Sequence, residues 1–121
     1  MEVGIYIVLI ILLALFIYSQ FKPVTGLRTL NVEAFQVELR KRYMLIDVRE
    51  PHEFKGGCIP GAINIPLSHL QNRLSEIPKD QRILLYCRSG MRSKTAARLL
   101  LKNGHADLAH LQGGLGGWDK K

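Results

Sequence analysis

The string Cys87-Arg88-Ser89-Gly90-Met91-Arg92-Ser93 gathers a thiol, two guanidinium groups and two hydroxyls on one short stretch. Residues 82–86 before it are an apolar run that reads as a buried strand, and residues 95–103 after it carry apolar side chains at helical spacing. A cysteine at the carboxyl end of a strand, ahead of a loop and a helix, sits where open α/β sheets place their chemistry. The helix start supplies unpaired backbone N–H groups and the positive end of a dipole, and Arg88 and Arg92 add full charge. Those surroundings favour a thiolate over a thiol. Cys87 therefore reads as a nucleophile.

A second group of residues points to the same edge. The run 43–48 reads as a buried parallel strand, and its carboxyl end delivers Asp47 and Arg49. Two roles are open to them: supports for the cysteine loop, or a structural ion pair that anchors a turn. The second is favoured. His52, His69, His105 and His110 lie far apart and show no metal-ligand spacing with Cys58 or Cys87, so packing or surface roles are expected for all four. No glycine-rich nucleotide fingerprint and no Ser-His-Asp arrangement occurs, so no cofactor is expected.

The elements that must position these groups can be read in order. Residues 3–18 are apolar without a charge, and through Phe21 the run is about 28 Å long as a helix, enough to cross a bilayer core. Tyr6 and Tyr18 fall near its ends, and Pro23 stops it. A cleaved signal peptide would want basic residues before the run and small residues after it, and neither is present. Lys22, Arg28, Arg40, Lys41 and Arg42 follow the run, which places the remainder of the chain in the cytoplasm by the positive-inside rule.

Residues 22–29 read as a tether. Asn31 is the expected N-cap of a helix over 32–41, residues 56–66 a turn feeding a brief strand, and 68–74 a helix capped by Ser68. Gly104 should end the helix after the cysteine loop, and 107–111 reads as a last strand. Gly116 and Gly117 weaken any final helix. The 121 residues have room for one compact domain besides the apolar run. The net charge of +7 is scattered without interleaved aromatics, which argues against nucleic acid and for a basic surface lying near a membrane. Two cysteines give no disulfide framework and fit a reducing compartment.

Three separated strings together resemble the single-domain rhodaneses, sulfurtransferases that carry sulfur as a cysteine persulfide. They are Asp47-Val48-Arg49-Glu50 ahead of Glu53-Phe54, Gly56 to Pro66, and the loop Cys87 to Ser93, with Gly113-Gly114 and Trp118 resembling the family's ending. The likeness covers about residues 30–118. It implies an α/β, three-layer fold with a central, largely parallel sheet, preceded by one transmembrane helix, with the rhodanese-like domain over 30–121. It further implies that Cys87 takes sulfur from a small anionic donor such as thiosulfate and passes it to a thiol or cyanide acceptor. Arg88, Ser89, Gly90, Met91 and Arg92 would form the substrate loop, with Arg92 somewhat favoured over Arg88 for orienting the donor. The bilayer is a further expected partner, and the anchor either delivers sulfur to a membrane protein or simply concentrates the enzyme there.

One departure stands out. Cys58 occupies a place where the family commonly has histidine, and it is either a redox partner of Cys87 or a small thiol without a role. The alternatives to a sulfurtransferase are a non-catalytic binding or sulfur-carrier module and, less favoured, a cysteine-dependent phosphatase or arsenate reductase. The last two resemble one another in a Cys-x5-Arg loop that surrounds a tetrahedral oxyanion. Here four residues separate Cys87 from Arg92, which suits a smaller occupant.

Overall fold

The computed structural model describes residues 2–119. Its elements are helix α1 (Glu2–Phe21), strand β1 (Leu27–Leu30), α2 (Val32–Glu38), β2 (Met44–Asp47), α3 (Pro51–Lys55), β3 (Ile63–Asn64) and α4 (Leu67–Leu70). A 3₁₀ segment (Gln71–Glu76), β4 (Ile83–Tyr86), α5 (Met91–Lys102), β5 (Leu108–Leu111) and α6 (Gly114–Asp119) follow. The five strands form one sheet in the order β1-β5-β4-β2-β3, and every pairing is parallel.

Apolar side chains alternate between the two faces, so each face makes its own core. On one, Ile46, Leu85, Cys87 and Leu108 pack against Leu70 of α4 and Ala96, Ala97 and Leu100 of α5. The alanines leave room for α5 to lie close on the sheet. On the other, Leu45, Leu84, Tyr86, Ala109 and Leu111 pack against Phe35 of α2 and Leu115 of α6. Phe35 also meets Trp118 edge-to-face at 6.2 Å. This is the α/β fold that the resemblance implied, with a central sheet that is parallel throughout rather than largely so.

The differences in detail have local causes. The tether contains a strand: Leu27–Leu30 pairs with β5 at the sheet edge, in register from Leu27↔Leu108 to Leu30↔Leu111. Its Leu-Arg-Thr-Leu sequence is too short and too polar to stand out. The buried carboxylate of Glu38 then holds this edge, meeting Arg28 at 3.2 Å, Lys41 at 2.9 Å and Arg82 at 3.3 Å. Asn31 does cap α2, accepting the Ala34 N–H at 2.8 Å, but the helix ends at Glu38 rather than Lys41. Ser68 is exposed within α4, whose N-cap is Pro66. The last segment is helical despite Gly116 and Gly117, because the N–H groups of Leu115 and Gly116 find carbonyl partners in the cysteine loop.

Helix α1 buries none of its residues and is long and apolar enough to cross a bilayer. Its carboxyl end meets α5. Arg98 donates to the Ser19 carbonyl at 3.1 Å and Lys94 to the Phe21 carbonyl at 3.2 Å. Two cations one helical turn apart thus take up carbonyls that the end of a helix leaves without an intrahelical partner.

Candidate active site

Strands β2 and β4 are neighbours with Asp47 opposite Tyr86, so the residues after them, Arg49 and Cys87, emerge at one edge of the sheet. The chain leaves β4 at Cys87 and turns at Gly90, whose φ of +105° is a conformation that glycine adopts without a Cβ penalty. Helix α5 then begins at Met91. The loop is therefore shorter than the sequence suggested, and Met91, Arg92 and Ser93 form the first turn of the helix.

Cys87 is fully buried, and its sulfur accepts the Gly90 N–H at 3.0 Å. Ser93 Oγ lies 3.7 Å from the same sulfur. Arg88 and Ser89 are exposed, Met91 and Arg92 half-buried. Helix α6 closes the loop from behind, with Leu115 N–H donating to the Cys87 carbonyl at 2.8 Å and Gly116 N–H to the Arg88 carbonyl at 3.1 Å.

Asp47 and Arg49 form a buried ion pair. The guanidinium Nη2 donates to Asp47 Oδ2 at 2.7 Å, and Nε contacts both carboxylate oxygens at 3.0 Å. The same Nη2 donates to the Gly57 carbonyl at 2.7 Å, and the Tyr86 hydroxyl accepts the Ile59 N–H at 3.1 Å. Through the Gly57 carbonyl the pair fastens the segment bearing Cys58.

Arg92 is held by Glu53 of α3, through contacts of 2.7 and 3.1 Å. The Arg92 guanidinium holds the Glu53 carboxyl at about 2, well below its ordinary 4.5. The Glu53 form that binds Arg92 is charged, so its contribution to stability is complete above about pH 4.5 and is lost as pH falls towards 2. Burial meanwhile pushes His110 down to about 4, a contribution lost as pH falls below its ordinary 6.5. The melting temperature of the full chain in detergent should fall from near pH 6.5 downwards. In Glu53→Gln the part of that fall below pH 4.5 should be smaller, and an unchanged acid limb would contradict the assignment.

A cleft of about 430 Å³ opens above the loop, lined by Arg49, Glu53, Cys58, Arg88 and Trp118 among others. Cys58 is exposed on its wall, and both cysteines are free thiols. Among the described residues no cluster of His, Cys, Asp or Glu could hold a metal. His110, for which packing or a surface place was expected, is packed beside the loop with Nδ1 2.7 Å from Ser93 Oγ. Nothing in its spacing could have shown this, since the contact depends on β5 lying beside β4.

Comparison with known proteins agrees with this geometry. The family model described as a rhodanese-like domain matches residues 32–121. An uncharacterized protein of Bacillus subtilis, YqhL, is 47% identical over 118 residues, covering 95% of this chain and 93% of that protein. A sulfurtransferase of Allochromatium vinosum is 41% identical over 75 residues, covering 62% of this chain and 70% of that protein. The structure of a human single-domain sulfurtransferase, TSTD1, superposes with a TM-score of 0.72 at 26% identity, over 77% of this chain and 96% of that one. A rhodanese-related protein of Thermoplasma volcanium gives 0.71 at 30% identity, over 77% and 91%. With its motif strings, its parallel sheet and its cysteine loop all in agreement, the chain belongs to the rhodanese-like domain family.

Proposed function

We propose that this chain is a membrane-anchored sulfurtransferase that moves sulfane sulfur through a persulfide on Cys87. The observation that carries the reading is the Gly90 N–H aimed at the Cys87 sulfur, inside a loop that runs into the start of α5. A donor N–H and a helix dipole at that point stabilise negative charge on sulfur, both before and after a second sulfur is added. Relatives named as sulfurtransferases support the same reading.

The reaction has two displacements. The Cys87 thiolate attacks the outer sulfur of thiosulfate, the S–S bond of the donor breaks, and sulfite leaves with the bonding electron pair. Cyanide or a thiolate then attacks the outer sulfur of the persulfide and returns the Cys87 thiolate. The exposed Arg88 on the cleft wall is the cation best placed to receive an anionic donor. Arg92, tied to Glu53, shapes the loop and adds its field. Ser89 and Met91 complete the loop, and Asp47 and Arg49 support it. Cys58, on the wall of the same cleft, is proposed as the redox partner whose thiolate attacks the inner sulfur of the Cys87 persulfide, forming a disulfide as hydrosulfide leaves. The basic residues after α1 support a domain on the cytoplasmic side of the cell membrane, with a membrane protein as its proposed acceptor.

Saturable thiocyanate formation from thiosulfate and cyanide, lost in Cys87→Ser, tests the enzyme reading. Sulfur uptake without turnover would make the chain a carrier instead.

A further inference from the structure

His110 is the buried group beside the nucleophile that the scheme above leaves without a task. It stands on β5, between Thr29 of β1 and Leu85 of β4, and is 3% exposed. Both ring nitrogens are engaged: Nδ1 lies 2.7 Å from Ser93 Oγ and Nε2 lies 3.1 Å from Thr29 Oγ1. Ser93, fully buried, donates its hydroxyl to the Gly90 carbonyl at 3.0 Å and lies 3.7 Å from the Cys87 sulfur.

These contacts fit one arrangement of the protons. Burial, with Lys94 nearby, holds the imidazole neutral at physiological pH, so the ring has a single N–H. A carbonyl accepts only, so with the Ser93 proton on it the serine oxygen accepts from the ring. In that arrangement the ring proton sits on Nδ1, and Nε2 accepts from the Thr29 hydroxyl. The Gly90 carbonyl also receives the Lys94 N–H at 3.2 Å. It stays paired if the Ser93 hydroxyl turns away.

We infer that His110 is a positioning residue for the nucleophile, whose Nδ1–H pins the Ser93 oxygen so that the serine hydroxyl swings between the Gly90 carbonyl and the Cys87 sulfur. In the thiol, the S–H donates to Ser93 Oγ while the hydroxyl points at Gly90. When the thiol proton leaves to solvent, the hydroxyl turns and donates to the thiolate beside the Gly90 N–H. His110 gains and loses no proton in this exchange. The inference rests on the reading of Cys87 as the nucleophile.

The charged groups of the surrounding elements are Arg88 before α5 and Arg92 and Lys94 on it, the Asp47–Arg49 pair after β2, and Glu53 of α3 held by Arg92. On β1, Arg28 is paired with Glu38 and Asp107. None is altered in the variants below, so differences between them isolate the ring.

The test uses the full chain in detergent on a Cys58→Ser background, which leaves Cys87 as the one thiol. Iodoacetamide alkylation is followed across pH, with thermal unfolding as a check on folding. His110→Leu should slow alkylation near neutral pH by about tenfold and move the pH profile up by about one unit, with rates converging in alkali. His110→Asn, whose side-chain N–H falls near the place of Nδ1, should restore most of the rate. His110→Gln puts its N–H near Nε2 and should behave like leucine, and it serves where leucine does not fold. A folded leucine or glutamine variant with the parent profile, or asparagine no better than leucine, would overturn the inference. Alkylation needs no sulfur donor, so a chain that takes up no sulfur leaves this test intact.

Discussion

Gly114→Ala should unfold or rearrange the cysteine loop, lowering stability on the order of 4 kcal/mol and removing most of the proposed sulfur transfer. Gly114 has a φ of +59°, which an L side chain adopts at a cost. A Cβ there would also fall on the carbonyl group of Arg88 and, at 2.5 Å, on the carbonyl oxygen of Cys87. Those atoms are backbone and cannot swing aside. They are also the two carbonyls that accept the Leu115 and Gly116 N–H groups, so relief of the clash breaks the bonds holding α6 to the loop. Gly57→Ala provides the contrast, because that glycine also has positive φ but an added Cβ meets nothing within 4 Å. Thermal unfolding and thiocyanate formation check both. A Gly114→Ala chain as stable and active as its Gly57→Ala counterpart would contradict the account.

Arg49→Met should cost about 3–5 kcal/mol, because it leaves the Asp47 carboxylate buried without its cation. Asp47 is fully buried and Arg49 is 3% exposed, so solvent can replace little of the lost contact. The same change frees the Gly57 carbonyl from its 2.7 Å bond and loosens the cleft wall that carries Cys58. Adding Asp47→Asn should recover a large part of the loss, since the neutral amide leaves no buried charge. Denaturant unfolding of the two single variants and the double variant measures this. Losses that simply add would mean the pair is not the unit described.

The cysteine loop, the strands around it and the Asp47–Arg49 pair were legible because each rests on local signals. Apolar runs of strand length, a capping asparagine at 31 and an acid and base two residues apart all declare themselves in one stretch of chain. What the sequence hid is long-range. Strand β1 forms because β5 offers it an edge, and α6 is helical because the loop carbonyls need its N–H groups. Glu53 and Arg92 are 39 residues apart, and His110 reaches Ser93 only through the order of strands. The start of α5 was misplaced for a local reason: Gly90 looked like loop, but its positive φ is what turns the chain into the helix at Met91.

The central claim is a persulfide on Cys87, and intact mass of the full chain in detergent reads it most directly. After thiosulfate, the reduced chain should gain the mass of one sulfur atom. Cyanide should remove it, and Cys87→Ser should never acquire it while Cys58→Ser still does. A folded, reduced chain that gains no sulfur, or a gain that survives in Cys87→Ser, would contradict the account.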